Sequence, residues 1–473
     1  MRRKWILALA LATPCLSALV VLESCGGEGG PLSSGVTSIS KAFLALMTPA
    51  QQKATYIGSA KCGNPNCHGA TDHAANYQTW LQTMHAKNNV GCENCHGPGS
   101  VHAANPTVAG SILQLPQMQS TVVCAQCHGP IYGDWSASLH AQVVTVPLQQ
   151  SAGTQKGSRC FVCHSGLVRT EYTENGVDVS TLTNTQIARA LSDTLNIVPN
   201  TAGCVTCHDP HQLTGNIDAD GADVQLYHQV TNNDTTAIGP STAASSFTLY
   251  NQVCGECHND RGADGSDAAL INGTSRPNMH ASNQMNMLLG EGGSELPTAP
   301  ITRTTTHATI VGQCSHCHMG AASHAFVPNY DTGCQPCHTA SDAASRVGAL
   351  QLEIVNDLYA LRTRMQTYAT ANLGGPDCWD YTSNIPSPEV PPDQSLVPIQ
   401  LMRARENYYF VLEDASEGVH NSAYTRYLIS TANTNMDVIQ PGGAPVRSSS
   451  LDFKTKEQIL KNDLVRARKL GGD

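Results

Sequence analysis

The pattern Cys-x-x-Cys-His constrains this chain more than any other feature, because it recurs through 473 residues far too often for chance. It stands at Cys92-Cys95-His96, Cys124-Cys127-His128, Cys160-Cys163-His164, Cys204-Cys207-His208, Cys254-Cys257-His258, Cys314-Cys317-His318 and Cys334-Cys337-His338. An eighth version, CGNPNCH, spaces Cys62 and Cys67 more widely before His68, and Gly63 and Pro65 supply the turn that the longer loop needs. Together the motifs use sixteen of the nineteen cysteines.

Two thiols followed at once by an imidazole is the pattern of covalent c-type haem attachment. The cysteines add to the two vinyl groups of one porphyrin, and a spacing of three places them on one side of a helical turn. The next residue, histidine, then reaches the iron. Zinc sites also use paired cysteines, and an exported chain could form disulfides, but neither requires a histidine directly after every second cysteine. The expectation is therefore eight covalently bound c-type haems, with His68, His96, His128, His164, His208, His258, His318 and His338 as proximal ligands.

The N-terminus reads as an export signal. Met1 to Lys4 is basic, and Trp5 to Leu22 is apolar apart from Thr13, Pro14 and Ser17. LESCGG at Leu22 to Gly27 resembles a bacterial lipobox, making Cys25 the expected lipidated residue after removal of residues 1–24, although Glu23 departs from the usual small or apolar type. An ordinary cleaved signal or an uncleaved anchor is the alternative. Cys15 leaves with the signal, and Cys378 remains as a free thiol. The mature chain keeps 24 basic against 36 acidic residues, which argues against a nucleic-acid partner. Its expected contact with a membrane is the lipid anchor alone.

Residues 25–55 read as a Gly/Ser-rich flexible tether with one short helix at SKAFLALM. Residues 56–340 carry all eight motifs, joined by loops with little periodicity, and form the octahaem domain. In the region 341–433, Val347, Leu350, Ile354, Leu358, Leu361, Met365 and Tyr368 step by three or four and predict one long amphipathic helix, ended by Gly374-Gly375-Pro376. A Pro-rich linker precedes a second helical stretch from Ile399 to Ala432, interrupted near Gly418. The tail, 434–473, carries a short basic helix at Lys454 to Lys469, either a solvated surface helix or a clamp on an acidic face or a second subunit. The expected fold is mostly irregular and α-helical, with almost no β-sheet. Aromatic residues make up only 5% of the chain, so porphyrins are expected to supply the missing apolar core.

The order YIGSAKC, WLQTMHA, CENCHGPGSVH, CHDPH, CSHCHM, SHAF and GCQPCH, followed by a long helix and LEDASEGVHN, resembles the multihaem cytochromes c of the nitrite reductase and hydroxylamine oxidoreductase superfamily. It covers roughly residues 56–432, and the number of motifs matches the octahaem branch. By position and by this resemblance, His85, His102, His140, His211, His280, His307, His324 and His420 are the expected distal ligands, leaving His73, His228 and His316 in reserve. His102 would then reach across from the CENCH motif to a neighbouring haem.

Two functions compete. One is an electron carrier whose haems are all closed by two histidines, working with other redox proteins of a respiratory chain. The other is an enzyme in which one haem stays open for nitrite, hydroxylamine or a sulfur oxyanion. Pentahaem nitrite reductases use a lysine in place of one proximal histidine, and no motif here has one. A distal lysine, associated with sulfur-reducing relatives, would have to come from Lys53, Lys61, Lys87, Lys156 or the C-terminal cluster, since none lies between Lys156 and Lys454. The tyrosine that hydroxylamine oxidoreductases link to their catalytic haem has Tyr408, Tyr409, Tyr424 and Tyr427 as candidates. The carrier is the expectation, with no catalytic residue assigned. The expected lipid anchor, as in similar tethered multihaem cytochromes of metal-respiring bacteria, implies attachment to the outer membrane, on its periplasmic or outer face, and relatives allow homo-oligomers.

Overall fold

The computed structural model describes residues 41–69, 74–114, 118, 120–141, 163–170, 202–217, 221–231, 252–260, 265–272, 282–296, 301, 303, 305–381, 396–443 and 451–471. The signal at 1–24, Cys25, Cys160, His73, Lys156 and His280 lie outside those residues.

Four long helices form the C-terminal part. The first, α1 (Ala340–Asn372), begins where the Thr339 hydroxyl accepts the Asp342 N–H at 3.2 Å, a cap that contributes about 0.5–2 kcal/mol. It stops before Gly374, whose φ of 93° a side-chain-bearing residue would resist. The second, α2 (Ile399–Glu413), follows Pro398. The third, α3 (Ser422–Ile439), is capped by the Asn421 side chain, which accepts the Tyr424 N–H. Between α2 and α3 the chain reverses through Ala415, Glu417 and Gly418, all with positive φ, and the two helices pack along their length. This is the interruption that Gly418 signalled.

The periodic residues of α1 point inward as their spacing requires. Ile354, Leu358, Leu361 and Met365 pack with Leu401, Tyr408 and Phe410 of α2, with Leu428, Ala432 and Met436 of α3, and with Trp379 and Tyr381. Each such side chain contributes about 1.5–3 kcal/mol on burial. Inside this core Arg405 donates to Asp380 at 2.8 Å with both side chains buried, and its guanidinium lies over the Tyr409 ring at 4.6 Å.

The tail helix, α4 (Phe453–Gly471), lies against α1 and α2. Leu460 is buried, and Asp463 accepts from the Tyr408 hydroxyl at 2.7 Å and from Arg362. Of the two readings the sequence allowed, the solvated surface helix therefore fails on its inner face: α4 is docked, and its target is the helical core.

Residues 56–340 are built differently. Short turns of three to nine residues alternate with irregular chain, and among the described residues the only β pairing is three isolated bridges. Among the described residues, small apolar groups form here, one of Leu113 and Val123 with Phe43, Leu46 and Met47, another of Met285, Leu288, Leu289 and Ala308, while Leu270 and Met287 join the helical core. The short helix expected at SKAFLALM is present as Lys41–Ala45, a second turn follows at Pro49–Gln52, and Phe43 is buried. Buried hydrogen bonds join the two parts. Asn407 accepts the Ser294 N–H and donates to the Ser294 carbonyl, both at 2.8 Å, and Asn283 donates to the Phe410 carbonyl at 2.8 Å. No described helix is long and apolar enough to cross a membrane.

Candidate functional site

The segment CENCHGPGSVH shows how sequence places these side chains. Cys92–His96 forms one helical turn, Gly97 reverses the chain at a φ of 77°, and Ser100–Ala104 forms the next turn, which carries His102. That φ lies in the left-handed region that favours glycine, whereas the Met47 methyl 2.8 Å from a built Cβ could move aside. Glu93, between the two cysteines, is buried and accepts the backbone N–H groups of Ile57, Gly58 and Gly99 at 2.7–3.0 Å. One carboxylate therefore ties YIGS and GPGS to the motif between them.

All the motifs open onto one connected cavity of about 4710 Å³, several times the ~300–1,000 Å³ of a typical single-ligand site. It is lined by all seventeen described histidines and all fifteen described motif cysteines. Every described cysteine is a free thiol, which disposes of a disulfide framework among them. Among the described residues no three or more His, Cys, Asp or Glu cluster to hold a bare metal ion.

The histidines stand in facing pairs. Ring centres are 6.3 Å apart for His68 and His102, 6.0 Å for His96 and His211, 6.2 Å for His128 and His85, 6.4 Å for His208 and His324, 6.1 Å for His258 and His140, and 6.2 Å for His318 and His420. Rings in direct van der Waals stacking would lie closer. A metal–imidazole nitrogen bond of about 2.0–2.1 Å, plus about 1.1 Å from nitrogen to ring centre, places two axial imidazoles about 6.3 Å apart across one metal. Every pair joins one motif histidine to one of the expected distal histidines. Four pairs have ring planes within 20–40° of each other, whereas His85–His128 and His140–His258 stand at 87° and 72°.

The outer ring nitrogens are also committed. Nδ1 of His96, His208, His318 and His324 lies 2.7–3.0 Å from the carbonyls of Leu113, Val224, Phe326 and Ala322. A carbonyl only accepts, so Nδ1 carries the proton and Nε2 keeps its lone pair for a metal. His102 is bonded to the Ser111 hydroxyl, His258 to Gln284 and His338 to Asp342, the last at 3.0 Å. Burial pulls His85, His96, His208, His258 and His318 below the ordinary imidazole value. His140 falls to about 4, from burial and then from His258. A neutral imidazole is the form that binds metal. His420 differs: burial alone would pull it down, but Asp414 and then Glu417 outweigh that and hold it above the ordinary value.

Of the expected distal histidines, His280 lies outside the described residues, and His307 lines the cavity with Nδ1 on the Val419 carbonyl at 3.0 Å. Reserve histidines His228 and His316 line it too, as do motif histidines His164 and His338. His228 belongs to a group that the sequence did not reveal: Arg169 donates to Glu256 at 2.9 Å and lies 3.6 Å from the Cys257 sulfur and 3.4 Å from His228. Its only sequence signal is an acidic residue inside CGECH, as in CENCH. Thiols of different motifs also influence one another: Cys62 with Cys92, Cys124 with Cys204 and Cys254 with Cys314. Tyr408, Tyr409, Tyr424 and Tyr427 do not line the cavity; their hydroxyls bond Asp463, Asp380, Glu295 and Leu296 within the helical part. Lys61 is the described lysine on the cavity wall.

No protein-family model matches the chain, and no curated protein matches it. Among solved structures it is similar to an undecahaem cytochrome from the S-layer of Carboxydothermus ferrireducens, at 19% identity and a TM-score of 0.47, with 74% of this chain and 50% of that one covered. It thus spans half the length of that cytochrome. It is also similar to the outer cell wall cytochrome OcwA, at 16% identity and a TM-score of 0.44, with 73% of this chain and 70% of that one covered.

Proposed function

We propose that this chain is an octahaem c-type cytochrome that relays single electrons along haems held by two histidines each. The observation that carries this reading is the set of six histidine pairs at 6.0–6.4 Å, each between a motif histidine and one outside the motifs. Each bound haem supplies a one-electron Fe(III)/Fe(II) couple.

The chain's own part is to hold and orient. In each of the six pairs the two histidines would hold a haem iron from opposite sides, which would leave no coordination site for a substrate there. Hydrogen bonds on Nδ1 fix ring orientation and ligand basicity, which are the means by which a protein spreads potentials among like haems. Thiols of separate motifs that influence one another bring the groups they carry side by side. Lipidation at Cys25 and attachment to the outer membrane follow from the lipobox-like LESC, and other redox proteins are the partners that a carrier requires.

Mass spectrometry of the mature protein tests the attachment: the expected mass is the processed chain with eight haems, beginning at an acylated Cys25. Low-temperature EPR of the fully ferric protein tests the carrier: all described pairs contribute low-spin signals. A high-spin signal near one per chain that changes with added nitrite or hydroxylamine would instead establish the enzyme with one open haem.

A further inference from the structure

Behind one of the paired histidines stands a buried carboxylate. Asp414 follows the last residue of α2, its side chain is 1% exposed, and its Oδ1 lies 2.6 Å from Nδ1 of His420, the ring paired with His318. Its other oxygen accepts the Ser416 hydroxyl, and the His420 N–H donates to the same Ser416 oxygen at 3.2 Å. The turn is fixed by its backbone: Ala415, Glu417 and Gly418 have positive φ, and Ile354 of α1 sits where a Cβ on Gly418 would point.

The other paired histidines with a bonded Nδ1 meet neutral partners, either carbonyls, a serine hydroxyl or a glutamine. Asp209 lies 3.7 Å from His211, beyond a hydrogen bond. Asp342 does bond His338, but it is 43% exposed and shared with Arg346. Among the described residues no arginine or lysine pairs with Asp414. A buried anion on the outer nitrogen gives the ring imidazolate character, strengthens it as a donor and favours the ferric state over the ferrous.

Resting on the octahaem reading, we propose that Asp414 is a potential-setting residue that holds the haem of Cys314, Cys317 and His318 below haems whose axial histidines donate to neutral acceptors. The step is one electron from a neighbouring haem onto this iron, with the proton staying between His420 and Asp414 and no bond made or broken. The interaction of Cys254 with Cys314, and the 3.5 Å approach of the Cys317 sulfur to the Gly333 carbonyl, would put the haem of Cys314 and Cys317 between those of the Cys254–Cys257 and Cys334–Cys337 motifs. A low potential there is an uphill step between its two neighbours.

The test is a potentiometric titration of the full haem-loaded protein, followed by visible absorption and EPR. Asp414→Asn is expected to shift one component of eight upward by at least tenfold in its equilibrium constant, about 59 mV for one electron, with all haems retained and low-spin. Asp414→Glu restores the low value. Ser416→Ala, which removes a competing donor but keeps the charge, moves the same component down, and it serves if Asp414→Asn does not fold. Asp342→Asn shifts its component less than Asp414→Asn does. Unchanged potentials in both Asp414→Asn and Ser416→Ala, with His420 still bound, overturn the proposal. Fewer than eight haems in the unmutated protein would overturn the octahaem reading itself, a distinguishable result.

Discussion

Glu93→Gln tests the claim that a single buried carboxylate holds the first two motifs together. Glu93 is 6% exposed; Oε1 accepts from Ile57 at 2.9 Å and Gly99 at 2.7 Å, and Oε2 from Ile57 at 3.0 Å and Gly58 at 2.7 Å. Glutamine keeps one acceptor and turns an NH2 toward the remaining donors. At least one backbone N–H loses its partner, costing about 1–3 kcal/mol, and the bonds that survive lose the strength of a charged acceptor, roughly 1 kcal/mol each. The sum is about 2–5 kcal/mol, concentrated where little apolar packing compensates. Thr55 and Ser100 stay joined by two bonds of 2.8 and 3.2 Å, which keeps the loss local. Hydrogen exchange by mass spectrometry should show protection over residues 55–60 and 97–104 falling about 30-fold or more, since 1.4 kcal/mol is tenfold. The low-spin EPR signal of the His68–His102 pair should broaden as the turn that carries His102 loosens. Protection changed less than threefold would refute the role given to Glu93.

Three further outcomes follow from the geometry. The near-perpendicular pairs His85–His128 and His140–His258 should give at least two highly anisotropic low-spin EPR signals per chain beside the rhombic ones of the near-parallel pairs; their absence contradicts those ring angles. Asp380→Asn leaves Arg405 buried without its anion and should cost about 3–5 kcal/mol, read as a lower midpoint in guanidinium unfolding of the C-terminal helices. Glu417 is pushed up from 4.5 to about 7 by burial and then by Glu457 and Asp414. A raised carboxyl favours folding while protonated, so stability should fall as pH rises from about 4.5 to 7, and Glu417→Gln should flatten that decline.

The helical part was legible because its signals are local. Val347 to Tyr368 repeat at the period of a helix, Thr339 and Gly374 bound it, and Gly418 breaks the next one where it must. The tail helix was placed but its burial was not, because Leu460 and Asp463 are two inward residues on a surface dominated by Lys and Arg, too few to read as a packed face. The short helix at SKAFLALM was legible, but its burial was not, because Phe43 and Met47 are covered only by Leu113 and Val123, far along the chain. The motifs announced their chemistry through spacing alone. Which imidazole faces which was hidden, because His96 meets His211 and His208 meets His324 across long stretches of chain, and no local pattern encodes that choice.

The two parts of the molecule answer one physical problem in different ways. A chain this poor in aromatic residues cannot pack an apolar core throughout, and it does not try. It concentrates Trp379, Tyr408, Tyr409, Phe410 and Tyr424 between the four long helices, where the Arg405–Asp380 pair and the Asp463 bonds set the register. The remaining length surrounds a cavity lined by imidazoles and thiols. That division locates the risk of each kind of substitution. Changes at the helical core act on folding through packing and buried charge. Changes at Glu93 or Ser111, which hold a backbone turn or an imidazole nitrogen of the cavity wall, should leave the helical core's stability nearly untouched, whereas Asp414, buried in the turn between α2 and α3, belongs to both parts.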